Sequence, residues 1–417
     1  MSSSGAGKAG VPAVSPIAAF LRPIAARTYR RQASVLPVRK AAAVARRRDG
    51  LSIEWKPLTR LDAADRGRIH DLSTRALQPN IFYEPEYLLA ARNLSLAEGA
   101  GVLLVGAEGR LIGALAGRVE GLAYGRPVPT FVAWELPYAP LSVPLVDREM
   151  ADAAVDAFLN ELPRLSGNPR VTLFRLMDRE GPFVRVLADR LYSRMKRPHT
   201  LDPHRRAALI PAEADPLKDV SQKRLKELRR QRARLSENGA LAHETVTGKG
   251  IEVAVEAYLK LEAAGWKGRI GAAASVSGAG HFLAEAVIGL AREGKARIDF
   301  MKLDGKPIAA TILLFSGNRA WFWKTAYDEN YARFSPGVLL ALELTETLGR
   351  DRSIALVDSC AVAGHPMIDH LWRGRIEVAD WIVPLADASS ATLALAAVKF
   401  RRAALKPIKS LRDKLRG

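Results

Sequence analysis

Cysteine is nearly absent: Cys360 is the single one in 417 residues, so no disulfide can close within the chain. A disulfide-stapled fold is excluded, and nothing in the chain calls for an oxidising compartment. Long apolar runs are missing too. The longest, residues 308–315 and 393–398, fall far short of the about 18 residues that cross a bilayer. The first residues carry no continuous apolar stretch of the kind a secretory signal needs. The expected location is the cytoplasm, with the inner membrane face as a peripheral site. Acids are scarce at both ends. Residues 1–50 hold ten Lys/Arg against Asp49 alone, a charge of +9, and residues 399–417 hold eight against Asp413 alone, +7. Of the net +19, only +3 is left for the body. A near-neutral body argues against a nucleic-acid-coating domain. Basic ends suit an anionic membrane surface or a polyanion, or act as solubilising tails.

What is present is ordinary for a folded protein: 48% hydrophobic and 26% charged residues, in a length that suits two or three domains. Residues 1–50, rich in Ala, Ser, Pro and Arg, read as a disordered basic tail with a short amphipathic stretch over 17–31. The same composition resembles a mitochondrial transit peptide. Two stretches of the body are alike. Glu108-Gly109-Arg110 joins apolar runs over 102–107 and 111–119, and Asp304-Gly305-Lys306 joins runs over 298–303 and 308–315. Acid-Gly-base between apolar runs is a hairpin signal, the glycine supplying positive φ. The order after each is the same, β-β-β-α-β-α-β, which predicts two copies of one domain. The copies are 51–212 and 213–388. A basic helix over 221–237, helices over 251–264 and 281–292, and a basic amphipathic tail over 389–417 complete the reading.

One corner carries the first chemical signal. At Arg333-Phe334-Ser335-Pro336-Gly337 a strand-like aromatic run turns into an apolar-periodic helix. Ser335 suits an N-cap, Pro336 the first helical position, and Gly337 admits close approach to the backbone. Free N–H groups and the helix dipole favour a phosphate there, and Arg333 adds a charge-assisted contact. The plain alternative is a well-made helix start.

The stretches "EAAGWKGRIG" (262–271), "LDGKPIAATI" (303–312), "WKTAYDENYARFSPGVLL" (323–340) and "VDSCAVAGHPMIDHLW" (357–372) resemble the CelD-like branch of the GNAT acyltransferases, associated with polysaccharide and envelope biosynthesis. The tandem arrangement is similar to the Fem peptidyltransferases. The resemblance implies an α/β fold of two GNAT-like domains, with mixed central sheets flanked by helices. It also implies acetyl-CoA or another acyl-CoA as donor, held at Arg333, Ser335, Pro336 and Gly337. There is a departure: the usual loop reads Gln/Arg-x-x-Gly-x-Gly/Ala, and here one glycine is missing and a proline intervenes. "LPYAPLSVPLVDREM" (136–150), at the matching corner of the first copy, has no glycine at all. Only the second domain is expected to bind a donor in this mode.

The chemistry so implied is attack of an amine on an activated acyl group. It needs a base, oxyanion donors and a stabiliser for the leaving thiolate. The oxyanion donor is expected among the backbone N–H groups of 324–327. Asp328 or Asp358 is the expected base, with His365 as a further candidate, and Tyr327 or Tyr331 the donor to the leaving group. Lys324, in a strand otherwise rich in Trp and Ala, needs an acidic partner, a ligand or a way out to solvent. Trp266 and Lys267, with Trp323, are expected to meet a sugar ring. Asp358, Cys360, His365, Asp369 and His370 lie close together, but the mixed ligand types with no second cluster argue against a metal. The basic helix carries seven Lys/Arg between Lys223 and Arg234, a solvated face or a surface for coenzyme A phosphates, tRNA, acidic glycan or lipid.

The reading is an acyl-CoA-dependent N-acyltransferase, N-acetyl in the first instance, acting on an amino sugar of an envelope or extracellular polysaccharide. Its rivals are a Fem-like aminoacyl-tRNA-dependent ligase and a non-catalytic membrane-associated scaffold or anionic-nucleotide sensor working through the basic tail.

Overall fold

The structure, a computed structural model, describes residues 44–48, 50–121, 128–136, 138–211, 215–218, 220–271, 273–275 and 277–400. Its strands are β1 (Val44–Arg48), β2 (Leu51–Pro57), β3 (Gly101–Ala107), β4 (Arg110–Glu120), β5 (Thr130–Ala133), β6 (Leu145–Val146), β7 (Val171–Asp178) and β8 (His199–Leu209). They continue as β9 (Leu241–Val246), β10 (Ala296–Leu303), β11 (Lys306–Ser316), β12 (Arg319–Tyr327), β13 (Leu356–Asp358) and β14 (Gly374–Pro384).

The two acid-Gly pairs turn the hairpins β3–β4 and β10–β11. Glu108 and Gly109 have φ of 52° and 77°, and Asp304 and Gly305 have 48° and 77°. Positive φ at both central residues is what a two-residue turn needs to match the strand twist. After each hairpin comes a third antiparallel strand, a helix and a parallel neighbour. In the first half the helix is Ala151–Glu161 and the parallel pair is β5 with β7. In the second the helix is Pro336–Arg350 and the pair is β12 with β13. These are tandem GNAT-like α/β units, each with a mixed sheet flanked by helices.

The halves trade their last strands. β8, which ends the first half, pairs with β13 of the second, and β14, which ends the second, pairs with β7 of the first. β8 and β14 then pair with each other. The result is one sheet in the order β1-β2-β3-β4-β5-β7-β14-β8-β13-β12-β11-β10-β9, with β6 beside β4. Both strands are eleven residues long, so either can fill a central slot of the sheet.

The basic segment read as a tail over 1–50 needs one correction. Residues 44–48 are a strand paired with β2. An edge position asks only for backbone N–H and C=O groups, so a basic segment can add there. The stretch over 17–31 lies outside the described residues. So does the tail beyond residue 400, whose start, 388–400, is helical.

The core also crosses between the halves. Tyr87, on the helix Pro85–Ala91, meets Phe282 at 5.3 Å and Trp323 at 6.1 Å, both edge to face. Glu84 is fully buried and takes the Lys295 ammonium at 2.7 Å and the Ser316 hydroxyl at 2.8 Å. A buried acid so fully partnered locks the two halves together.

Candidate active site

β12 stays with β13 only over Arg319–Trp321. Ile312 pairs with Lys324 but Leu313 pairs with Phe322, so Trp323 is the extra residue of a β-bulge. Beyond it β12 runs on to Tyr327 without its parallel neighbour. The Lys267 ammonium donates to the Thr325 carbonyl at 2.9 Å, on the side away from β11, while the Asp328 N–H donates to Ile308 on β11 at 2.8 Å. By the alternation of antiparallel pairing, Thr325 and Tyr327 turn their backbone groups into the gap. A cavity of about 520 Å³ lies there. Lys324, Thr325 and Tyr327 form one wall, Ser335–Val338 another, Ser359–Val362 with His365 a third. Lys267 closes one side, and Tyr138 and Pro140 reach in from the first half.

In the first half the equivalent gap is filled. Residues 138–144 follow β5, and Ser142 lies against β7. The Ser142 hydroxyl accepts the Arg175 N–H at 2.8 Å and donates to the Arg175 carbonyl at 2.5 Å. The Asn80 amide donates to Val143 at 2.7 Å and holds the segment from the other side.

Lys324 and Lys267, which line the cavity, share one carboxylate behind its wall. Glu262, 1% exposed at its side chain, stands 3.5 Å from the Lys324 ammonium and 3.2 Å from that of Lys267. Its other oxygen accepts the Ala274 N–H at 2.9 Å, and the Tyr258 hydroxyl adds a bond at 3.4 Å. Burial pushes the Glu262 carboxyl up, but Lys324, Lys267 and the Ala274 amide outweigh it and hold it at about 2. Burial pulls the Lys324 ammonium down to about 8, against the pull of Glu262 and with help from Lys267. One acid faces two ammoniums, which leaves one positive charge to spare at the cavity wall. Glu262 is therefore the acidic partner that a lysine in an apolar strand requires. It carries a signal in the sequence. It sits on the buried stripe of the helix Ile251–Ala264 with Tyr258 and Leu261, where a carboxylate is costly unless paired.

The corner at 335–337 differs from the expected cap. Ser335 is at the N-cap position but left-handed, with φ 53° and ψ 51°, and its side chain makes no capping bond. Its carbonyl takes both the Val338 N–H, at 2.9 Å, and the Leu339 N–H, at 3.1 Å. Pro336 has no N–H. The buried Gly337 N–H is thus the one helix-start amide with no partner among the described residues. A Cβ on Gly337 would meet Tyr327 and Thr325 at 3.6 and 3.7 Å, ordinary contact distances. Arg333 is exposed, its guanidinium 4.6 Å from the Phe334 ring, outside the cavity lining.

The other expected residues are scattered. Tyr327 and His365 line the cavity; Asp328, Asp358 and Tyr331 do not. Asp328 caps its own turn through the Asn330 N–H at 3.0 Å. Asp358 is buried against Arg206 at 2.5 Å and accepts the Cys360 N–H at 2.9 Å, so its charge is spent on structure. Tyr331 packs against the second half's core. The His365 Nδ1 accepts the Met367 N–H at 3.3 Å, which puts the ring proton on Nε2 and presents a donor where a base was expected. Burial lowers the basicity of this imidazole, with Asp369 opposing. The Trp323 indole N–H is committed to the Tyr138 carbonyl at 2.7 Å. The Trp266 side chain lies outside the described residues. Among the described residues no three His, Cys, Asp or Glu side chains are placed to hold a metal, and no helix is long and apolar enough to cross a membrane.

Residues 222–361 match the model of the acetyltransferase (GNAT) domain. No curated protein matches the sequence. Among solved structures the fold is similar to that of FemX, with TM-score 0.50 and 9% identity over 77% of this chain and 96% of that one. It is similar to L-PGS from Bacillus licheniformis, with TM-score 0.51 and 11% identity over 82% and 97%. It is also similar to a conserved protein of unknown function from Bacteroides thetaiotaomicron VPI-5482, with TM-score 0.51 and 10% identity over 79% and 99%. These likenesses span nearly the whole of each neighbour and are likenesses of fold. The matched stretch includes Glu262, Lys267, Lys324 and Gly337, and so lies in the half that holds the cavity.

Proposed function

We propose that the chain transfers an acyl group, acetyl in the first instance, from a coenzyme A thioester to the amine of an amino sugar bound for an envelope or extracellular polysaccharide. The observation that carries the reading is the spare positive charge of Lys324 at the splay of β12, in one cavity with the Gly337 helix-start amide, which has no partner among the described residues. The donor supplies an activated carbonyl. The amine attacks it, the C–N bond forms and the C–S bond breaks. The carbonyl oxygen gains negative charge on the way, and a pre-placed ammonium and strand amides stabilise that charge. Glu262 keeps Lys324 pointed and charged without itself accepting a proton. The His365 Nε2–H is available to the leaving sulfur or to a substrate hydroxyl. The amine's proton leaves to solvent. The sugar acceptor rests on the resemblance to the CelD-like branch and on the aromatic walls, Tyr138, Phe322 and Trp323.

One observation favours a second reading. The 335–337 corner offers a single free amide, where a pyrophosphate is better served by several. An aminoacyl ester of tRNA would place less demand on that corner. Calorimetry with acetyl-CoA separates the two. Micromolar binding to the wild type, lost in Gly337→Glu, supports the thioester donor. A folded protein that binds no acetyl-CoA removes it, and transfer from aminoacyl-tRNA becomes the assay.

A further inference from the structure

The first half has its own gap filled, yet it reaches into the cavity of the second. We propose that Tyr138 is a positioning residue of the reaction centre: its ring, delivered from the first half, keeps the Lys324 side chain charged and in place. The proposal rests on the reading of Lys324 as the group that meets the developing negative charge.

The geometry is specific. The Lys324 ammonium lies 4.0 Å from the Tyr138 ring centroid, inside the range in which an aromatic face attracts a cation. The ring is fixed by stacking on Phe282 at 6.1 Å, with an interplanar angle of 12°, and by Trp323 edge-on at 6.4 Å. The backbone is fixed as well. The Tyr138 carbonyl accepts the Trp323 indole N–H at 2.7 Å, and the Pro140 carbonyl accepts Arg206 at 2.8 Å. Arg206 continues to Asp358 in the second half. The bulge that turns Lys324 into the cavity and the loop that carries Tyr138 are thus tied to each other through the neighbouring tryptophan.

The electrostatics call for such a contact. The groups facing Lys324 are Glu262 from the helix Ile251–Ala264, Lys267 from the short helix Trp266–Arg269 after it, and Tyr138 from the first half; Tyr258 stands behind Glu262. Tyr327, Cys360 and His365 line the same cavity. Glu262 is shared with Lys267, so Lys324 has half an acid and a repelling neighbour in a buried place. A π-face supplies attraction without a second carboxylate, which would cancel the spare positive charge the reaction uses.

The test reads Lys324 directly. The full chain carrying carbon-13 lysine is titrated by NMR, with the Lys324 signal assigned from Lys324→Arg. Tyr138→Phe keeps the ring and leaves the midpoint within a few tenths of a unit. Tyr138→Leu lowers it by about one unit, the loss of a desolvated cation–ring contact. Phenylalanines of increasing fluorination at position 138 keep the volume, withdraw ring charge and lower the midpoint stepwise, so a poorly folding leucine variant does not leave the question open. A midpoint unmoved across the fluorinated series overturns the proposal. A midpoint that falls, in a protein that transfers no acyl group to any amine, keeps the role of Tyr138 and overturns the functional reading instead.

Discussion

Glu262 and Lys324 stand 3.5 Å apart, a carboxylate at the end of one helix and an ammonium on a strand that has left its neighbour. Glu262→Gln leaves the nearly buried Lys324 ammonium beside the partly exposed one of Lys267 with no counter-charge. Breaking one side of a buried pair costs about 3–5 kcal/mol. Thermal unfolding is expected to show that loss, and Glu262→Asp less of it. A melting temperature unchanged in Glu262→Gln would mean that the lysines are neutral or solvated.

The same carboxylate makes stability depend on acid. Its folded pKa, about 2, is depressed from the ordinary 4.5. A depressed acid stabilises the fold fully above the unfolded value and loses that contribution as pH falls toward the folded one. Stability is expected to drop between pH 4.5 and 2 by about 3 kcal/mol from this group. Urea titrations across that range check it, with Glu262→Gln showing a shallower fall.

Lys324 sets the alkaline side of activity. Its ammonium, held at about 8, is charged at neutral pH and lost above. Acyl transfer is expected to fall through pH 8, and Lys324→Met to lower kcat by about 10²–10³ with donor KM little changed, the pattern of a lost oxyanion partner. A KM effect alone would place Lys324 in substrate binding.

At the helix start, size and charge are expected to act differently. Gly337→Ala adds a Cβ at ordinary contact from Tyr327 and Thr325, so donor affinity stays within a few-fold. Gly337→Glu sets a carboxylate beside the free amide and the helix dipole, and donor affinity falls at least tenfold, a loss of about 1.4 kcal/mol. Equal losses in both variants would point to packing rather than to an anion.

Arg206 and Asp358 are nearly fully buried and joined at 2.5 Å. Arg206→Leu strands the carboxylate and frees Pro140. A stability loss of about 3–5 kcal/mol is expected, with Asp358→Asn recovering part of it in the double variant. Chemical unfolding of the four members of the cycle measures the coupling.

Local chemistry made much of the fold legible. The acid-Gly turns were readable because a two-residue turn leaves few choices, and Ile251–Ala264 because its apolar spacing ends at Gly265. Strand β1 was not, since an edge strand needs no apolar pattern. Within the site, Lys324 announced itself as a charge in an apolar strand, and Glu262 could have been found by the same logic. Asp358 looked free because its partner, Arg206, comes from the other half. Ser335 looked like a cap because residue type does not reveal the left-handed turn that spends its carbonyl instead.

By itself the sequence determined the two hairpins, the strand–helix–strand after each, the doubled unit and the apolar helix that starts at Pro336. Each follows from propensity and period over a few residues. The tertiary structure alone decided which strand lies beside which, and so the exchange of β8 and β14. It also decided that Tyr138 of one half rests on Lys324 of the other. Strands of equal length do not name their partners, and a ring meets a cation only where the whole sheet brings them together.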